Sequence, residues 1–245
     1  MSEDDALDIV IGAGSGIGGA LIERWQGSGQ RPVLAVARPS EALARCAALQ
    51  GVTCEETDYT DEQLIHLADT LLDHGVNLSR LVICNGVLHG EGYRPERALS
   101  QLKGTAMGQV FELNTFLPMR VLSALMPVIK RSGAPRVAVL SARVGSIADN
   151  RLGGWYSYRG SKAALNMMLK CAALELRRVN PQAKLMAYHP GTVDTPMSKP
   201  FQAGVAPEKL FSPARAAAAL DQVISSFEVD GDLAYLDWQG QPIPW

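Results

Sequence analysis

Cysteine is scarce in this chain. Cys46, Cys54, Cys84 and Cys171 form no CxxC pair and have no histidine at metal-ligand spacing, which leaves neither a disulfide framework nor a zinc site to read. His66, His74 and His89 likewise lack a second ligand at such spacing, so no bound metal is expected and the thiols are expected free and buried. Charge of one sign is also missing. A net charge of -2 provides no basic field to gather a phosphate backbone, which argues against nucleic acid as a partner. No apolar run reaches membrane-span length, and the stretch Ala163 to Leu176 is interrupted by Lys170 and Glu175. The opening Met1-Ser2-Glu3-Asp4-Asp5 is acidic where a secretory signal is basic. A cytoplasmic protein with no membrane partner is expected, with disorder confined to those first residues. Low-complexity tracts, linkers and solenoid-length repeats are absent, hence one domain over 1–245.

What is present is a composition able to bury a large core, 47% hydrophobic against 20% charged. Short apolar runs alternate with segments of helical period, the pattern of strand-helix units feeding a parallel sheet covered on both faces. The expected strands are Asp8 to Ile11, Val33 to Ala37, Thr53 to Glu56, Leu81 to Cys84, Arg136 to Ser141, Lys184 to His189 and Leu233 to Asp237. Helices are expected near Ile17 to Gln26, Glu41 to Leu49, Asp61 to Leu72, Pro95 to Leu102, Val110 to Arg131, Tyr158 to Val179 and Pro213 to Ser226. Pro118 and Pro127 are expected to kink or break the fifth of these. The expected fold is α/β: a single doubly wound Rossmann-type domain with a mostly parallel seven-stranded sheet and helices on both faces.

Directly after the first strand comes Gly12-Ala13-Gly14-Ser15-Gly16-Ile17-Gly18-Gly19, opening a helix. A pyrophosphate needs backbone N–H groups aimed at it from a helix N-terminus, and side chains would block that approach. Gly14, Gly16 and Gly19 satisfy GxGxxG, whereas Gly12, Gly16 and Gly18 satisfy GxxxGxG; both registers remain open, with Ser15 and Ile17 inside the turn. The second strand ends on Arg38 with no acid there. A cation at that point suits the extra phosphate of NADP, so NADP(H) is preferred, with NAD(H) possible. Further along, Tyr158 and Lys162 lie one helical turn apart on one face. An adjacent ammonium is expected to lower the phenol from its usual value near 10, letting the pair move a proton while a nicotinamide moves a hydride.

These residues, with Asp58 in Thr57-Asp58-Tyr59-Thr60-Asp61, Asn114 in Phe111-Glu112-Leu113-Asn114, Ser141, and Pro190-Gly191-Thr192, resemble the short-chain dehydrogenase/reductase family over nearly the whole chain. Arg143 to Ala148, Gly153 to Tyr158 and the ending Gln241 to Trp245 are similar to its C-factor-like branch. The resemblance implies Tyr158 as the acid/base, Lys162 holding the cofactor ribose and tuning Tyr158, and Asn114 ordering a relay water. It implies Asp58 at the adenine, Asn85 and Gly86 in the cofactor cleft, and Pro190, Gly191, Thr192, Val193 and Thr195 against the nicotinamide and pyrophosphate. Two departures stand out. The family's NNAG after the fourth strand is here Ile83-Cys84-Asn85-Gly86, and its catalytic serine, the second of a Ser-Ser pair, is here replaced in Ser141-Ala142. Ser141 through a local bend, or Ser146 from the next loop, is expected to supply the hydroxyl, with Ser141 favoured by its place at the strand end.

The expected function is thus an NADP(H)-dependent oxidoreductase of carbonyl reductase or alcohol dehydrogenase type, acting on a small-molecule carbonyl or alcohol. The alternative is a dinucleotide-binding signalling or regulatory protein of the C-factor type with weak or vestigial catalysis. Ala142 favours the alternative and the intact Tyr158/Lys162 pair opposes it. His89 to Arg97, Trp155 and Thr195 to Phe211 are expected to build the substrate pocket. Apolar residues on more than one face of Ala163 to Leu176 point to a homodimer or homotetramer.

Overall fold

The computed structural model describes residues 6–245, so the expectation for Met1 to Asp5 lies outside the described residues. Continuous apolar runs become strands buried on both sides, as in β1 (Ala6–Ile11) and β2 (Val33–Ala37). They are joined by β3 (Val52–Glu56), β4 (Asn77–Ile83), β5 (Arg136–Leu140), β6 (Lys184–His189) and, at the far edge, β9 (Ala234–Asp237). All pair in parallel in the order β3-β2-β1-β4-β5-β6-β9. The order reverses between β1 and β4, which opens a crevice beyond their carboxyl ends.

Alternation along the strands divides the core in two. Ile9 and Ile11 join Val137, Val139, Leu185 and Ala187 under α3 (Asp61–Asp73), α5 (Leu117–Arg131) and α6 (Tyr156–Val179). Val10 joins Ala35, Val82 and Met186 under α1 (Gly16–Ser28), α2 (Glu41–Ala47) and α7 (Pro213–Ser226). One ionic group is buried at the foot of this second layer: Arg80 on β4 binds Asp8 on β1 and reaches Asp221 on α7 at 2.9 Å, and its guanidinium lies 4.0 Å over the Trp25 ring.

Several expectations change. No helix forms over Pro95 to Leu102; only a short 3-10 turn, Leu99–Gln101, is present, because Leu99 is exposed and Glu96 turns inward instead. The helix expected from Val110 begins earlier, as α4 (Gly104–Phe111), and continues through one π-helical turn (Glu112–Phe116) into α5. Pro118 lies just after the π-helical turn, where the helical hydrogen-bond pattern changes, and Pro127 lies inside α5. Two short strands, β7 (Thr192–Val193) and β8 (Leu210–Phe211), pair apart from the main sheet. Cys46 and Cys84 are buried, but Cys54 is half-buried and Cys171 exposed. Leu165, Leu169, Ala172 and Leu176 form the core face of α6 and leave Cys171 outside it. No helix of the described residues is long and apolar enough to cross a membrane.

Candidate active site and cofactor cleft

The glycine turn bridges β1 and α1. Ser15 caps the helix by accepting from the Gly18 N–H at 3.0 Å, which leaves the N–H groups of Gly16 and Ile17 in the first turn free to meet an anion. Sterics decide between the two glycine registers. A Cβ on Gly18 would stand 2.6 Å from the Gly12 carbonyl oxygen, Gly12 itself has φ +81°, and a Cβ on Gly16 would meet Thr195 at 3.0 Å. Gly19 has its nearest neighbour at 3.6 Å. The turn is therefore built on Gly12, Gly16 and Gly18.

A cleft of about 280 Å³ runs from Gly14, Ser15, Gly16 and Ile17 past Asn85 and Gly86 to Ser141, Tyr158 and Lys162, with Pro190 and Thr195 along its wall. Asn85 Oδ1 is buried there without a partner, an acceptor suited to a hydroxyl of a bound nucleotide. These features fit a dinucleotide. Arg38 and Asp58 lie outside the cleft, both exposed. The Arg38 guanidinium stands 5.8 Å from the Tyr59 ring and pairs with no acid among the described residues.

Tyr158 and Lys162 project from the first turns of α6. The Lys162 ammonium donates to the Leu140 carbonyl at 2.8 Å, and burial pulls it down to about 7. Burial also pushes the Tyr158 phenol up to about 12, with Tyr235 adding to the rise. The expected lowering of the phenol by Lys162 is thus corrected: burial dominates, Tyr235 adds to it, and the phenol stays a neutral proton donor. Asn114 sits in the π-helical turn and faces the loop after β4. Its Oδ1 accepts from the Val87 N–H at 2.7 Å, and its Nδ2 donates to the Val87 carbonyl at 2.9 Å and to Ser161 Oγ at 3.1 Å. A Cβ on Gly86 would lie 3.1 Å from Asn114 Oδ1 and 3.5 Å from Lys162 Nζ. Glycine thus lets this loop close onto both side chains.

A second cavity, about 260 Å³, shares Ile17, Ser141, Tyr158, Pro190, Thr195 and Met197 with the first, and Gly191, Thr192 and Val193 line it. Its remaining wall is largely apolar: Leu88, Val144, Trp155, Phe201 and Val205. Trp155 has φ 52° and stands edge-on to Tyr158 and Phe201, with centroids 6.1 and 5.4 Å away. Ser141 lines both spaces, but its hydroxyl donates to Asn166 Oδ1 at 2.7 Å. Ser146 lies outside both linings and accepts from the Asp149 N–H at 3.0 Å. Ala142, Arg143, His189 and Ser198 complete the second cavity.

Sequence reasoning missed three contributors. Arg143 is held by Asp237 at 2.9 Å, Asn166 engages Ser141, and Glu96 accepts from the Ser157 N–H at 3.1 Å at the start of α6. Only the helical spacing of Asn166 from Lys162 offered a signal. The Cys84 thiol lines the cofactor cleft, and burial pushes it up to about 12, the state of an unreactive thiol.

The short chain dehydrogenase family model matches residues 8–206. C-signal of Myxococcus xanthus is 34% identical over 148 residues, 60% of this chain and 84% of that protein. The 1-hydroxy-2-glutathionyl-2-methyl-3-butene dehydrogenase of Rhodococcus sp. (strain AD45) is 28% identical over 239 residues, 97% of this chain and 98% of that protein. A solved short-chain dehydrogenase/reductase from Burkholderia multivorans with bound NADP has a TM-score of 0.83 at 23% identity, over 98% of this chain and 100% of that one.

Proposed function

This chain belongs to the short-chain dehydrogenase family, and from that premise we propose that it is an NADP(H)-dependent oxidoreductase interconverting a carbonyl and an alcohol. One observation carries the proposal: the glycine turn and the Tyr158/Lys162 pair line one cleft, which opens beside Tyr158 into an apolar cavity.

Gly14, Ser15, Gly16 and Ile17 hold the pyrophosphate, and Arg38 takes the 2′-phosphate that distinguishes NADP from NAD. When bound, the nicotinamide supplies or accepts the hydride. Tyr158 gives its proton to the carbonyl oxygen in reduction and takes it back in oxidation. Lys162 binds the cofactor ribose, and Asn114 orders the segment behind Gly86 and the start of α6 through Ser161, which itself donates to the Tyr158 carbonyl at 2.8 Å. The apolar wall selects a small or medium apolar substrate. Exposed Phe116, Met167, Met168 and Leu174 support assembly as a homodimer or homotetramer.

The test is NADPH oxidation across a panel of carbonyl compounds. Wild-type protein turns over at least one of them, and Tyr158→Phe lowers kcat by about 10² to 10⁴-fold while still binding NADPH. Ala142 and the similarity to C-signal support a second reading, a dinucleotide-binding signalling protein with weak catalysis. NADPH binding without turnover across the panel would favour it.

A further inference from the structure

We propose that His189 donates the hydrogen bond to the substrate oxygen that a serine at position 142 would otherwise make. The proposal rests on the oxidoreductase reading above. Ala142 lines the substrate cavity, is nearly buried and carries no donor. Most hydroxyls around it are engaged elsewhere: Ser141 with Asn166, Ser146 with Asp149 outside the cavity, Ser198 with the Val193 and Thr195 carbonyls, and Thr195 with the Val193 carbonyl at 3.4 Å. Thr192 also lines the cavity, and its hydroxyl is the competing donor that Thr192→Val tests below. Arg143 is tied to Asp237 at 2.9 Å and Asp149 at 3.5 Å.

His189 is placed differently. It ends β6, beside β5, where the Ser141 N–H donates to the Tyr188 carbonyl at 2.7 Å. Leu185 and Ala187 face the layer under α6, and the two-residue alternation of the strand puts His189 on that same face, below the start of the helix that carries Tyr158. The side chain lines the cavity together with Tyr158 and Ala142. Among the residues of the two cavities, only Asn85 Oδ1 and His189 Nδ1 are buried polar atoms without a partner. Asn85 belongs to the nucleotide end. His189 is the one at the substrate end.

Burial, reinforced by Arg143 and opposed by Asp237, holds the imidazole down to about 4. At neutral pH the ring is therefore uncharged, with one N–H to donate. In reduction the carbonyl carbon gains the hydride, Tyr158 loses its proton to the carbonyl oxygen, and the His189 N–H bond stays intact throughout. His189 only stabilises charge developing on that oxygen, as a neutral donor in a water-poor site does.

The experiment compares wild type, Tyr158→Phe, His189→Phe, His189→Gln and Thr192→Val, and the double variant His189→Phe/Ala142→Ser, on the best carbonyl substrate found. Calorimetry with NADPH and thermal melts check that cofactor binding and folding survive. His189→Phe should lower kcat by about 10² to 10³-fold with KM and NADPH affinity little changed. His189→Gln, which keeps a donor and guards against a folding defect in the phenylalanine variant, should lose less. Adding Ala142→Ser should restore turnover at least tenfold. Wild-type kcat in His189→Phe, or a loss confined to Thr192→Val, overturns the assignment to His189. If His189→Phe is impaired but Ala142→Ser restores nothing, the imidazole is not the serine's replacement and the proposal also falls. If wild type and Tyr158→Phe are equally inactive on every carbonyl, the oxidoreductase reading itself fails, an outcome distinct from the others.

Discussion

Glu96 caps the helix that carries Tyr158: its carboxylate accepts from both the backbone N–H and the hydroxyl of Ser157, 61 residues away in sequence. Removing it leaves two buried donors at the start of α6 without an acceptor. Glu96→Ala is expected to lose about 1–3 kcal/mol of stability, read from urea unfolding. Turnover should fall with it as Tyr158 loses its fixed position.

The two glycine registers predict opposite outcomes. Gly18→Ala forces a methyl against the Gly12 carbonyl and should cost about 1–3 kcal/mol as well as NADPH affinity. Gly19→Ala, inside α1 with room for the methyl, should be neutral or gain up to about 1 kcal/mol. Melting and NADPH titration of both variants check this.

Arg38 is expected to discriminate between the two dinucleotides. Arg38→Ala should weaken NADPH by about 10- to 100-fold and leave NADH nearly unchanged, as measured by calorimetry with each cofactor. Equal losses for both would assign Arg38 a general rather than a 2′-phosphate role.

Lys162 makes the stability of the cofactor-free protein depend on pH. Burial holds it at about 7 against an ordinary value near 10.4, so between these limits the unfolded chain binds more protons than the folded one. Its contribution is therefore most destabilising below about pH 7 and relaxes as pH rises toward about 10. Chemical denaturation of wild type and Lys162→Met at pH 7 and pH 9 should show a steeper gain for wild type.

The Arg80 cluster should behave as a buried ion pair. Arg80→Met leaves Asp8, with its side chain only 1% exposed, without its counter-ion and is expected to cost about 3–5 kcal/mol. A variant within 1 kcal/mol of wild type by urea titration would contradict this.

Features decided by near neighbours in sequence were readable before the structure. The strand at Val33 to Ala37, the turn after β1 and the Tyr158/Lys162 spacing depend on local sterics and helical period, and each stands where expected. Which glycines must be glycine was not readable, because the clash at Gly18 and the room at Gly19 are set by how α1 sits on the strand. Glu96 and Arg80 were invisible because their partners lie far along the chain, up to 141 residues for Arg80 and Asp221. The two-residue strands β7 and β8 are too short to carry any period. The phenol's direction was misjudged because charge proximity follows from spacing, whereas desolvation follows from the packed surroundings.

The left-handed backbone at Trp155 makes the width of the substrate cavity negotiable. Gly153, Gly154 and Trp155 all have positive φ, at 64°, 64° and 52°, a run that suits glycine far better than tryptophan. Trimming a cavity-lining side chain ordinarily weakens a protein through lost packing. Here Trp155→Gly would also relieve backbone strain, so the two effects oppose each other. A lineage under pressure to admit bulkier compounds could thus widen its pocket at this position with less harm to folding than at any neighbouring wall built on an ordinary backbone.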